Sequence, residues 1–126
     1  MPSCTTISNG LNGMLKPSET TAIKRYLDKI KGATKSYPYQ KTLAVYSVNG
    51  TPFAFLETDK QPLRLSLRSD PELSKLLRAK YEEVTPGHKL DQRYWNTIIL
   101  SGQLSPDEVL ALIDHSYQLA LKEVYT

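Results

Sequence analysis

Cysteine is nearly missing from this chain of 126 residues, which carries only Cys4. A lone thiol excludes an internal disulfide and every structural zinc site built from several thiolates. Nothing close to Cys4 in sequence offers the base or the positive charge that makes a thiolate reactive, so it reads as an incidental thiol. Histidine is scarce too. His88 and His115 are the only side chains whose ordinary pKa lies near neutrality, and they stand in different contexts. Asp114-His115-Ser116 is no catalytic triad, because neighbouring residues on a helix point in different directions. His88 follows Pro86-Gly87 and reads as a turn residue beside a basic edge. The sequence has no phosphate-binding loop, dinucleotide glycine pattern or paired metal-ligand spacing. These absences argue against an enzyme and imply no cofactor and no metal.

Long apolar runs are missing as well. No stretch approaches the roughly 18 to 20 residues that cross a bilayer. Met1 to Met14 has neither the basic start nor the apolar core of a secretory signal, so a cytoplasmic location is expected. Residues 1–16, with Asn9-Gly10 and Asn12-Gly13 as turn-forming pairs and no periodicity, read as a flexible tail. Residues 17–126 are then a single domain, a length that fills one sizeable core. A hydrophobic fraction of 40% and a charged fraction of 23% suit a folded globular chain better than a disordered one.

The net charge of +3 is unevenly spread. Residues 16–41 carry seven Lys/Arg against Glu19 and Asp28, and residues 60–93 carry eight against five acids. The last 26 residues are acidic. Such asymmetry suits a polyanion partner, although an interspersed, solubilising surface gives the same pattern.

Periodicity and punctuation place the elements. Ser18 is the expected N-cap of a helix over 18–31, whose Ile23, Tyr26, Leu27 and Ile30 make one apolar stripe and which Gly32 ends. Residues 42–48 and 51–57 are rich in β-branched and aromatic side chains and are separated by Asn49-Gly50, the signature of a type I′ hairpin. A third strand over 63–68 alternates strictly, with Leu63, Leu65 and Leu67 on one face and Arg64, Ser66 and Arg68 on the other. Asp70-Pro71-Glu72 opens a helix over 71–82, and Pro86-Gly87 breaks the chain. A fourth strand covers 94–100. Ser105-Pro106-Asp107-Glu108, a capping box with proline at N1, launches a helix over 106–123. The expected fold class is α+β, an αβββαβα two-layer sandwich in which the helices cover one face of an antiparallel sheet.

The uncovered face holds the candidate site. Arg64 and Arg68 leave the third strand on its polar side, roughly 13 Å apart at the Cα atoms, a spacing that reaches two phosphates. Lys89 and Arg93 flank the start of the fourth strand, where Trp95 and Asn96 add an aromatic surface and a hydrogen-bonding amide. Cations interleaved with aromatics suit nucleic acid, since charge supplies affinity through counterion release while rings and amides touch sugars and bases. An ordinary half-exposed strand carries the same residues, and Trp95 is expected mainly as a core or rim anchor.

Several stretches resemble the MmcQ/YjbR family of small bacterial proteins, over roughly Ile30 to Tyr117. They are Tyr37-Pro38-Tyr39, Phe53-Ala54, the run from Leu65 to Glu72, Leu77-Arg78, Tyr81, Pro86-Gly87, Arg93-Tyr94-Trp95-Asn96-Thr97 and His115-Ser116-Tyr117. Their order and spacing, more than any single one, carry the resemblance. It implies a CyaY-like sandwich and DNA binding through a double-wing motif. The chain departs from the family pattern at Lys89, at Asp91-Gln92 and at Gln40, where the family usually has histidine, Asn-Lys and glycine. Frataxin-type iron handling, which the fold name also suggests, is disfavoured because Lys24, Arg25, Lys29 and Lys31 dominate the first helix. The expectation is a monomeric, non-enzymatic module that binds double-stranded DNA through Arg64, Arg68, Lys89, Arg93, Trp95 and Asn96. The alternative is a protein-interaction or chaperone-like module using the same open sheet.

Overall fold

A computed structural model describes residues 17–87 and 90–123. The chain runs α1 (Pro17–Lys29), β1 (Ala33–Ser36), β2 (Leu43–Val48), β3 (Thr51–Glu57), β4 (Arg64–Arg68), α2 (Pro71–Lys80), β5 (Val84–Pro86), β6 (Trp95–Ile99) and α3 (Pro106–Glu123). All seven expected elements are present, and the short strands β1 and β5 add to them. Both are largely exposed, so they have no alternating apolar run to betray them in sequence. The expected tail, residues 1–16, lies outside the described residues, as do His88 and Lys89.

Local chemistry sets the boundaries. Asp70 accepts a hydrogen bond from the Leu73 N–H at 2.9 Å and caps α2, with Pro71 following it. At α3 the capping box is closed both ways, Glu108 N–H to Ser105 Oγ at 3.2 Å and Ser105 N–H to Glu108 Oε1 at 2.9 Å. Asn49 and Gly50 both have positive φ, 51° and 81°, as a type I′ turn requires. Pro17 is already helical, so Ser18 sits inside the first turn of α1 and not ahead of it.

Six strands form one antiparallel sheet in the order β1-β2-β3-β4-β6-β5. Register aligns Ala44, Leu56, Leu65 and Ile98 across four strands, and Tyr46, Ala54, Leu67 and Asn96 beside them, all on one face. Ile23 and Leu27 of α1 and Val109, Ile113 and Ala120 of α3 bury that face. Leu65 and Leu67 therefore point inward as expected, and Tyr117 joins the same core, its ring edge-on to Phe53 at 5.5 Å. Polar ties fix the helices in place. Buried Ser116 donates to the Phe53 carbonyl at 2.5 Å and accepts from the Arg68 N–H at 2.8 Å. The Tyr46 hydroxyl donates to Asp28 of α1 at 3.0 Å, and burial first, then that hydrogen bond, pushes its pKa up to about 12.

Candidate nucleic-acid interface

The second face of the sheet carries three cross-strand lines. Leu43, Glu57, Arg64 and Ile99 form the first, Val45, Phe55, Ser66 and Thr97 the second, and Arg68 beside Trp95 the third. Alternation in β4 delivers Arg64 and Arg68 here while sending Leu65 and Leu67 to the core. Arg64 is exposed. Arg68 is half-buried, with its guanidinium 5.8 Å from the centre of the Trp95 ring, a cation–π distance. Part-buried Trp95 meets Phe55 edge to face at 5.3 Å, so of the two places expected for it, core or rim, it takes the rim.

Arg93 lies beside this face, already engaged. Its guanidinium holds Asp91 through two hydrogen bonds, 3.1 Å and 2.9 Å, and stands 5.2 Å over the Tyr94 ring. The Arg93 hydrogen bonds keep the Asp91 carboxyl below its usual range, and the carboxylate raises Arg93 in turn. Both side chains are open to water, so the pair is weak and screened by salt.

Asn96 does not join the candidate site. Adjacent residues of a strand point to opposite faces, and Asn96 lies on the helix side of the sheet, only 2% exposed. Its Oδ1 accepts from Arg78 Nε at 2.6 Å, and its amide nitrogen lies 3.4 Å from the Ser74 carbonyl oxygen. Three of the six candidates, Arg64, Arg68 and Trp95, share this face; Arg93 stands in the turn before β6 with Asp91, Asn96 is a core residue, and Lys89 lies outside the described residues.

Two residues that position the site had no such role in the sequence reading. Arg78 of α2 donates to Asn96 and to the carbonyls of Gln92 and Trp95, and so pins the segment leading into β6. Gly87 donates its N–H to the Trp95 carbonyl at 2.9 Å, and a Cβ at this position would stand 2.9 Å from Trp95 Cβ. Glycine is required there by the close approach of β6. Pro86-Gly87 signalled a break; no spacing signal links residue 78 to residues 92–96.

Two grooves open on this face. One of about 530 Å³ lies among Thr51, Pro52, Arg68, Asp91, Tyr94 and Trp95. The other, about 570 Å³, has Phe55, Ser66 and Thr97 as its floor, with Tyr39, Gln40, Leu43, Glu57 and Leu90 around it. The Phe55–Trp95 contact stands between them. Aromatic rings border both grooves, with Arg68 and Asp91 beside them in the first and Glu57 in the second. Among the described residues no three His, Cys, Asp or Glu side chains converge as a metal site would need. His115 lies apart, its Nε2 3.6 Å from Asp70 at the start of α2.

Residues 28–119 match the YjbR family. The chain belongs to that family. It is 31% identical over 90 residues to the uncharacterized protein YjbR of Escherichia coli K12, a match spanning 71% of this chain and 76% of that relative. The same protein in Escherichia coli O157:H7 matches equally. Among solved structures, the Deinococcus radiodurans protein DR2400, of the DUF419 domain family, superposes with a TM-score of 0.77 at 26% identity, covering 85% of this chain and 81% of that one. A Pseudomonas syringae protein superposes with a TM-score of 0.69 at 26% identity, covering 84% of this chain and 99% of its own. The YjbR resemblance read from residues 30–117 is thus a family membership, and the α+β sandwich expected from it is the fold observed. No helix among the described residues is long and apolar enough to cross a membrane.

Proposed function

We propose that the protein is a non-enzymatic DNA-binding module that works through the sheet face left free by its helices. One observation carries the reading: Arg64 and Arg68 leave the same strand on that face, and Arg68 lies against Trp95, whose ring packs edge to face on Phe55. At roughly 13 Å between Cα atoms the two guanidinium groups reach separate phosphates, which fix position without reading sequence. The double-wing DNA binding implied by the YjbR resemblance points the same way. A protein-interaction module is the second reading, favoured by the exposed Tyr39 and the apolar walls of the larger groove.

Salt separates the two. Fluorescence-anisotropy titration with two unrelated DNA sequences at low and moderate salt should give affinities that fall steeply with ionic strength. Arg64→Ala with Arg68→Ala should weaken both complexes equally and flatten the salt slope, circular dichroism showing the fold retained. Binding that ignores salt favours an apolar partner. An absence of binding at low salt, or identical slopes for wild type and variant, rejects this face as a DNA site.

A further inference from the structure

We propose that this face takes an unpaired strand, in place of the double strand expected from sequence, and lodges one of its bases in the groove between Tyr39 and Phe55, an inference that rests on the DNA-binding reading above. A duplex hides its base faces, and reading its edges requires an element that enters a groove about 12 Å wide. The helices here cover the opposite side of the sheet, which leaves only the hairpin ribbons to enter such a groove. The floor of the larger groove is recessed, for Ser66 and Thr97 are each only 8% exposed and hydrogen-bond to one another at 2.8 Å. A rigid duplex can touch the rim of such a surface with its phosphates. A flexible strand can send a base to the floor.

The groove has what a base needs. Tyr39 is 74% exposed, and its ring borders the same space as the part-buried ring of Phe55. Stacking on such rings is the usual way proteins hold single strands, because every base has a π-face. Gln40 and Glu57 at the margin supply an amide and a carboxylate for a base edge. A volume of about 570 Å³ lies within the roughly 300–1,000 Å³ of small-ligand pockets. Charge complementarity completes the case. Among the described residues Glu57 is the one charged side chain bordering the groove, and exposed Arg64, its direct cross-strand partner, offsets that carboxylate and offers a cation on the same face to the phosphate joined to the lodged base. Arg68, in the adjoining groove, meets the continuing backbone.

The test uses one labelled oligonucleotide, alone and annealed to its complement, in anisotropy titrations at the same low salt. Wild type should prefer the single strand. Tyr39→Ala, at an exposed position where truncation empties no core, should weaken single-strand binding about 5- to 150-fold while leaving duplex binding unchanged. Tyr39→Phe, which keeps the ring, should bind as wild type does. Duplex bound as tightly as the single strand, or Tyr39→Ala without effect on the single strand, overturns the inference and leaves DNA binding standing. Failure to bind either form overturns both.

Discussion

Arg78 shows how a single side chain can govern a site it does not line. Its guanidinium reaches from α2 to the side chain of Asn96 and to the backbone carbonyls of Gln92 and Trp95. Hydrogen bonds from a charged donor contribute about 1.5–3 kcal/mol, and removing the donor leaves the buried Asn96 oxygen without that partner. Arg78→Ala should therefore lower unfolding free energy by about 2–3 kcal/mol in urea titrations and speed amide exchange at Trp95. A loss below about 0.5 kcal/mol would assign the contact to the ordinary run of surface substitutions. Arg64 and Arg68 were legible in sequence because β4 alternates without interruption. Asn96 departs from the expected surface because adjacent strand residues alternate; counting by twos from Trp95 puts Asn96 on the core side with Ile98, where register places it. Its link to Arg78 exists only because β6 returns beside α2, and nothing local in the sequence encodes that return.

At the scale of elements, the start of α3 gives a pH signature. The Glu108 carboxylate accepts from the Tyr81 hydroxyl at 2.6 Å and from the Ser105 N–H, and these two hydrogen bonds, the tyrosine's first, hold its pKa below the usual value. A depressed carboxylate contributes stability in full above its unfolded pKa and loses it as pH falls through the folded one. Wild type should accordingly be more stable than Glu108→Gln at pH 7, and the gap in urea midpoint should close on acidification through the carboxylate range. A gap independent of pH would show that the charge contributes nothing. The capping box, the Asp70 cap and the Asn49-Gly50 turn were all readable in sequence, because each is a local bargain between a side chain and its own backbone. Strands β1 and β5 were not. Their places are dictated by the neighbours they border, Val45–Val48 and Asn96–Ile98, which lie 12 or more residues away at their centres.

At the scale of the molecule, the sheet joins two parts of unequal sequence separation. Strands β2, β3 and β4 follow one another directly and pair as a meander, whereas the seam between β4 and β6 brings Ser66 to Thr97 with α2 and β5 in between. Loop-closure entropy makes the near pairings cheap and the distant one costly. The meander, started by its type I′ turn, should thus dominate the rate-limiting folding step, and the seam should zip afterwards. Ile98→Ala, which removes core contacts on the late side, should accelerate unfolding while leaving refolding nearly unchanged; Leu56→Ala, within the meander, should slow refolding. Stopped-flow chevrons measure both arms, and equal effects of the two substitutions on refolding would refute this order. Because the floor of the larger groove is built from Phe55, Ser66 and Thr97, it straddles that seam. That floor would then be among the last parts of the molecule to form, and a nascent chain would present this face only after the fold was complete.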